Sequence, residues 1–180
     1  MITRSISTLP LFLKAHWPYL KFILTLTGWL IVLFMLVSHS WFIEKVLNPF
    51  AIVLTYLIGL VIKTLGNPIE MQATIITTPH FSMEIYYKCT GIYQLTGYLA
   101  GVLAYPTTFR KKASGMIWGS CLINILNFIR ILSIFYIGIL ATEWVDFFHA
   151  VLWEALFIFV TIGLLFFWAK NCPLRRTIKN

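Results

Sequence analysis

Charge is scarce in this sequence. Only 11% of its 180 residues are charged, against about a quarter in an ordinary soluble domain. Hydrophobic residues make up 59% and aromatics 17%. A chain this short cannot hide so much apolar surface inside itself, so lipid must cover the rest; a soluble globular domain is excluded. Acid is scarcer still, with 6 acidic side chains against 14 basic ones. In a soluble protein that excess would point to nucleic acid. Here the basic residues flank apolar runs, where they mark membrane topology, and no nucleic-acid partner is expected. The three cysteines, Cys89, Cys121 and Cys172, lie far apart, with no CxxC and no histidine at metal-ligand spacing. Neither a disulfide framework nor a zinc site fits that pattern, and no cofactor is expected. No internal repeat or low-complexity tract is visible. The amino end lacks a signal-peptidase site, so the first strong apolar run is expected as a retained span.

The apolar runs predict an all-α integral membrane helical bundle of four to five spans in one membrane-embedded domain, 1–180. Residues 1–19 read as a basic lead-in. Spans are expected at 20–37, 91–106, 113–139 and 149–169, with a basic cytoplasmic tail at 170–180. Residues 49–62 form an apolar segment of the length often found in re-entrant or interfacial helices. Residues 67–88 look extramembranous and β-hairpin-like. Phe81, Met83, Ile85 and Tyr87 alternate with Ser82, Glu84 and Tyr86, and Thr78-Pro79-His80 reads as the turn between two strands.

Positive charge arbitrates orientation. With 49–62 held on the outer side, Arg4, Lys14, Lys21, Arg110, Lys111, Lys112, Lys170, Arg175, Arg176 and Lys179 fall inside, against Lys45, Lys63 and Lys88 outside. If that segment spans, Lys45 moves in and Arg4, Lys14 and Lys21 move out. Charge bias favours the first arrangement and apolar content the second; beyond residue 66 they agree.

Three residues carry candidate chemistry. Cys89 lies where the β-like segment enters the membrane, and a nucleophilic thiol needs nearby positive charge or a base. Arg130 lies inside a long apolar span, where a charge costs about 2.5–3.5 kcal/mol on insertion scales. Ser120, Asn124, Asn127 and Arg130, spaced four, three and three, make one polar stripe facing the bundle interior or a cavity. His149 opens the last span, and imidazole is the natural acid or base near neutral pH. Asp146 is placed to orient its ring, and Glu154 to pair with Arg130. Singly, each has a plainer explanation: a small buried cysteine, a structural arginine, an interfacial histidine. Jointly, the topology brings thiol, guanidinium and imidazole to the outer part of the membrane. Gln94 is expected to bond between helices; Cys121 and Cys172 are not expected in the site. Trp17, Trp41, Trp144 and Trp168 fit aromatic belts at span ends.

The ordered set Cys89-Thr90-Gly91, Asn127-x-x-Arg130 and Phe148-His149 resembles the exosortase/archaeosortase family. Tyr105-Pro106 before a basic loop, the run from Arg130 to Gly138, and Phe148-His149-Ala150-x-x-Trp153 look most like the short exosortase H-type branch. The likeness covers roughly residues 45–169. It implies a membrane cysteine protease/transpeptidase with Cys89 as nucleophile and Arg130 and His149 as its partners; the residue pattern itself, apart from the resemblance, adds Asn127, Asn124, Asp146 and Glu154 as supporting candidates. The implied substrates are proteins with a carboxy-terminal sorting signal: a short motif, an apolar span and a basic tail. Cleavage would occur on the outer side of the cytoplasmic membrane, with transfer to an amine acceptor or water. The expected mechanism has His149 and Arg130 favouring the Cys89 thiolate. The competing class is a small transporter or assembly subunit; a transporter more often shows broken helices or repeats.

Overall fold

The computed structural model describes residues 11–172, with side chains from residue 16 onward. The side chains of Arg4, Lys14, Arg175, Arg176 and Lys179 lie outside that description.

Helix α1 runs Leu11–Ser38 and contains Pro18, so part of the expected lead-in is helical. It stops at His39, whose backbone turns extended and whose ring Nδ1 accepts the Trp41 amide, capping the next helix. Helix α2, Ser40–Thr64, contains a π turn at Ile43–Leu47 and absorbs the apolar segment 49–62 into a longer element. It ends where Leu65 and Asn67 donate back to Val61 and Ile62, with Gly66 at φ 86° and Pro68 beyond. That left-handed glycine with a following proline is a common helix stop.

Three short antiparallel strands follow in the order β1 (Glu70–Gln72), β2 (Ile75–Thr77) and β3 (Ser82–Glu84). One more strand is present than the sequence indicates. The Thr- and Ile-rich stretch breaks at Ala73, which takes φ 51°, allowing a two-residue turn between β1 and β2. The second turn falls at Thr78-Pro79-His80. There the Thr78 amide donates to the Phe81 carbonyl, and Thr78 Oγ1 accepts the Phe81 amide. The alternation along Phe81–Tyr86 holds: Phe81, Met83 and Ile85 turn inward, and Ser82, Glu84 and Tyr86 turn outward.

A 3-10 turn, Tyr87–Thr90, leads into helix α3, Ile92–Ala104, about 20 Å long by helix rise. Helix α4, Phe109–Leu140, is the longest at 32 residues. Helix α5, Thr142–Lys170, contains a π turn at Phe148–Leu152. Among the described residues, α1, α2, α4 and α5 are long and apolar enough to cross a membrane.

α4 is buried along Gly115, Gly119, Ile123, Asn127, Ile131, Ile134, Phe135 and Gly138, mostly three or four residues apart, as expected for one helix face. Two apolar clusters line it. One joins Leu54, Ile58 and Ile62 of α2 to Ile76 and Ile85 of the sheet and to Ile131 and Phe135. The other joins Tyr98 and Val102 of α3 to Ile123 and Ile134 and to Trp153 and Phe157 of α5. At the end opposite the sheet, Tyr105 Oη donates to the carbonyls of Ala169 and Cys172, and its ring meets Trp168 edge-on. Trp168 is therefore half-buried packing rather than an exposed belt residue, whereas Trp17, Trp41 and Trp144 are exposed.

α1 lies antiparallel along α3. Phe34 meets Tyr93 near the start of α3, while Phe22 shares a groove with Gly101 and Tyr105 near its end. Most of the α1 side chains are left uncovered by protein. α2 begins against the Tyr87–Thr90 turn and is followed by Asn67, whose Nδ2 donates to Tyr136 Oη at 3.2 Å. Both ends of α2 thus lie toward the sheet end of the bundle.

Helices α3 and α4 approach closely because Gly119 lacks a side chain: an added Cβ would lie 2.0 Å from Tyr98 Cε1. Tyr98 Oη, buried beside it, donates to the Gly115 carbonyl at 3.0 Å. Gly119→Leu should lower stability by ~1–3 kcal/mol through overpacking. A reduced thermal midpoint in detergent would report it; an unchanged midpoint would show that α3 and α4 do not depend on this contact.

Candidate functional site

The thiol is positioned by local backbone demands. Cys89 closes the 3-10 turn, its amide donating to the Tyr86 carbonyl at 2.8 Å, and Thr90 Oγ1 donates to the Tyr87 carbonyl. The next residue, Gly91, has φ 73°, a left-handed conformation that disfavours any side chain. A Cβ there would also press to 3.2 Å from Asn127 Cγ. Asn127, itself buried, donates from Nδ2 to the Cys89 carbonyl at 3.0 Å. The Cys-Thr-Gly run therefore encodes a turn clamped to α4 by Asn127.

Arg130 lies one turn beyond Asn127 and is 2% exposed. A buried charge requires partners. Its Nη2 lies 3.2 Å from His149 Nε2 and 3.5 Å from Glu154 Oε1, and its guanidinium carbon sits 5.5 Å from the centre of the Phe157 ring. Gln94 of α3 donates to Glu154 Oε2 at 3.2 Å. Glu154 is thus the partner of Arg130 expected from the sequence, and Gln94 ties a third helix to the pair. A guanidinium can only donate, so His149 Nε2 accepts, and the ring is neutral with its proton on Nδ1. Arg130 Nε and Nη1 are buried without a hydrogen-bond partner, leaving two strong donors uncommitted.

Cys89, Arg130 and His149 line one cavity of about 260 Å³, together with residues 81–86, Ile131, Ile134 and Val145. The other candidates are placed differently. Asn124 is spent on the Ser120 carbonyl of its own helix at 2.8 Å. Asp146 is exposed, and the hydrogen bond at the His149 ring is the one that Nε2 accepts from Arg130. Cys121 is exposed on α4, and Cys172 is buried at the far end. Phe157 and the strand β3 were not anticipated in the site. An aromatic on an apolar helix and an outer strand carry no distinctive sequence signal.

The electrostatics correct one expectation. Burial pushes the Cys89 thiol above its ordinary range; Arg130 and the bond to Tyr86 pull it down, but Glu84 and Glu154 oppose them. Desolvation is the largest of these influences, so the net direction is toward the protonated thiol.

Fold and pocket together define a multi-pass helical membrane protein with a thiol, a guanidinium and an imidazole gathered at one end of the bundle. The family model described as transmembrane exosortase matches residues 9–168, and the chain belongs to that family. No curated protein and no solved structure matches it.

The raised thiol makes a pH prediction. Alkylation requires the thiolate, so the rate at Cys89 should keep climbing above about pH 8.5, the ordinary thiol midpoint. Arg130→Gln removes a lowering influence and should slow alkylation at every pH below the plateau. A rate already flat at neutral pH would show a preformed thiolate instead.

Proposed function

We propose that this chain is a membrane cysteine peptidase/transpeptidase acting on proteins with a carboxy-terminal sorting signal. The observation supporting this most strongly is the cavity lined by Cys89 and by a buried guanidinium with two uncommitted donor nitrogens, with His149 beside it.

The reaction follows from those groups. When a peptide carbonyl enters, Arg130 turns its free donors to the carbonyl oxygen and releases His149 Nε2. His149 takes the thiol proton as sulfur bonds to the carbonyl carbon, and the carbonyl electron pair moves onto oxygen, stabilised by Arg130. Collapse of the tetrahedral intermediate breaks the carbon–nitrogen bond, and the leaving amine takes the proton from His149. The thioester then passes its acyl group to an amine or to water, regenerating the thiol. Asn127 is a positioning residue, holding the turn that carries the sulfur. Glu154 balances the charge of Arg130 and limits its swing.

With a tagged substrate followed by size, Cys89→Ala should abolish processing. Arg130→Ala should slow it by about 10²–10³-fold, as for loss of an oxyanion donor, and His149→Ala by about 10²–10⁴-fold. Normal processing by Cys89→Ala, at equal membrane abundance, would end the proposal.

The same reading places the chain in the cytoplasmic membrane with Arg110, Lys111 and Lys112 inside, by the positive-inside rule, and the sheet and cavity outside. The amino end of α1 then lies inside, and α2 enters and leaves on the outer side. In a background with Cys89, Cys121 and Cys172 replaced by Ala, an impermeant maleimide should label Ser40→Cys and Thr64→Cys on intact cells, but not Arg110→Cys. Labelling of Ser40→Cys only after permeabilisation would show that α2 crosses.

A further inference from the structure

Strand β3 is an edge. The sheet order is β1-β2-β3, so one side of β3 pairs with β2 and the other, among the described residues, pairs with no strand. The pairing register shows which backbone groups are free. Ser82, Met83 and Glu84 stand opposite Thr77, Ile76 and Ile75. The Thr78 amide bonds to the Phe81 carbonyl, and the Ile85 amide bonds to the Thr74 carbonyl. Antiparallel pairs alternate between bonded and non-bonded, so Phe81, Met83 and Ile85 direct their main-chain groups toward β2. Ser82 and Glu84 direct theirs to the open side.

That open side borders the cavity of the thiol. The cavity is lined by every residue from Phe81 to Tyr86, as well as by Cys89, Arg130 and His149. A cavity over one face of a strand meets alternate residues only; six consecutive residues are met when the edge itself forms the wall. β3 also runs directly into the turn that carries Cys89. Unpaired edges accept further strands, and peptide recognition by strand addition uses the main chain for affinity.

Resting on the peptidase reading, we propose that the substrate binds as an extended peptide added to the free edge of β3. The amide and carbonyl of Ser82 and Glu84 bond to its backbone, and the scissile carbonyl is delivered to Cys89 at the end of the strand. Recognition therefore begins on an unfolded, extended segment outside the bilayer, with helical structure of the substrate confined to the part beyond the cleavage point.

Proline removes an amide donor and is tolerated on an edge where that amide faces outward. Processing is first established with the unaltered protein and shown to be absent in Cys89→Ala, which tests the peptidase reading by itself. Ser82→Pro and Glu84→Pro should then each slow processing about tenfold, the effect of one lost backbone bond, while Cys89 alkylates as before in Ser82→Pro and no more slowly in Glu84→Pro, which loses a carboxylate that disfavours the thiolate. Wild-type rates in both variants would overturn strand addition and leave the peptidase reading intact. Disulfide trapping tests the same geometry without proline. In a background with Cys89, Cys121 and Cys172 replaced by Ala, Ser82→Cys should cross-link to a single-cysteine substrate at every second position near the cleavage site. Cross-links recurring every three or four positions, or none at all, would overturn it.

Discussion

One buried cation organises this protein. Arg130 lies in the middle of an apolar bundle, where an ionised group without partners is untenable, and neighbouring elements are arranged to answer it. α5 supplies an imidazole acceptor, a carboxylate and an aromatic face through His149, Glu154 and Phe157. α3 reaches the carboxylate through Gln94. On α4, Asn127 holds the turn that presents the thiol. Arg130 Nε and Nη1 have no hydrogen-bond partner among the described side chains, so the protein's own groups answer this cation only in part.

The π turn in α5 is what lets two of those partners meet one guanidinium. His149 and Glu154 are five residues apart, about 140° around an ordinary α-helix, which would put them on different faces. The π turn at Phe148–Leu152 closes with the Trp153 amide bonded to the Phe148 carbonyl, a five-residue step. Residues at that spacing are brought to the same side, so both reach Nη2 of Arg130. Such single π turns tend to occur at functional sites. The local geometry is less regular than an α turn, and the gain is a second polar group aimed at the same point.

That turn also marks where the sequence stops being informative. The bundle was readable because apolar run length and flanking charge follow from the bilayer itself. The polar stripe on α4 was readable because four-and-three spacing makes a helix face, and Asn127 and Arg130 are buried as that spacing requires. The lower half of the stripe was not separable from the upper by pattern: Asn124 bonds its own helix, a local alternative always open to a short amide side chain. Phe157 was invisible because one more aromatic in an apolar helix carries no contrast. The net direction of the thiol's shift was not legible, because sequence shows the nearby positive charge, which does favour the thiolate, but not the depth of burial that outweighs it. The length of α2 was underestimated at its start, where polar Ser40, Glu44 and Lys45 enter a helix that is capped by His39 and irregular at its first turns.

The two apolar clusters explain why the site falls where it does. One fastens α3 and α5 to α4, giving Arg130, His149 and Glu154 a rigid frame within the bundle. The other fastens α2 and the sheet to the upper part of α4, with Phe81 lodged against Gly138 where no side chain intervenes. The cavity lies at the seam between these two units, and Cys89 sits on the short turn that connects them. Charged chemistry in a membrane needs a frame that keeps water out, and substrate entry needs a wall that is not lipid. A seam between a packed bundle and a docked sheet meets both requirements: helices hold the polar groups in place, and the sheet supplies a hydrogen-bonding edge that a lipid-facing helix, with its backbone fully paired, does not have.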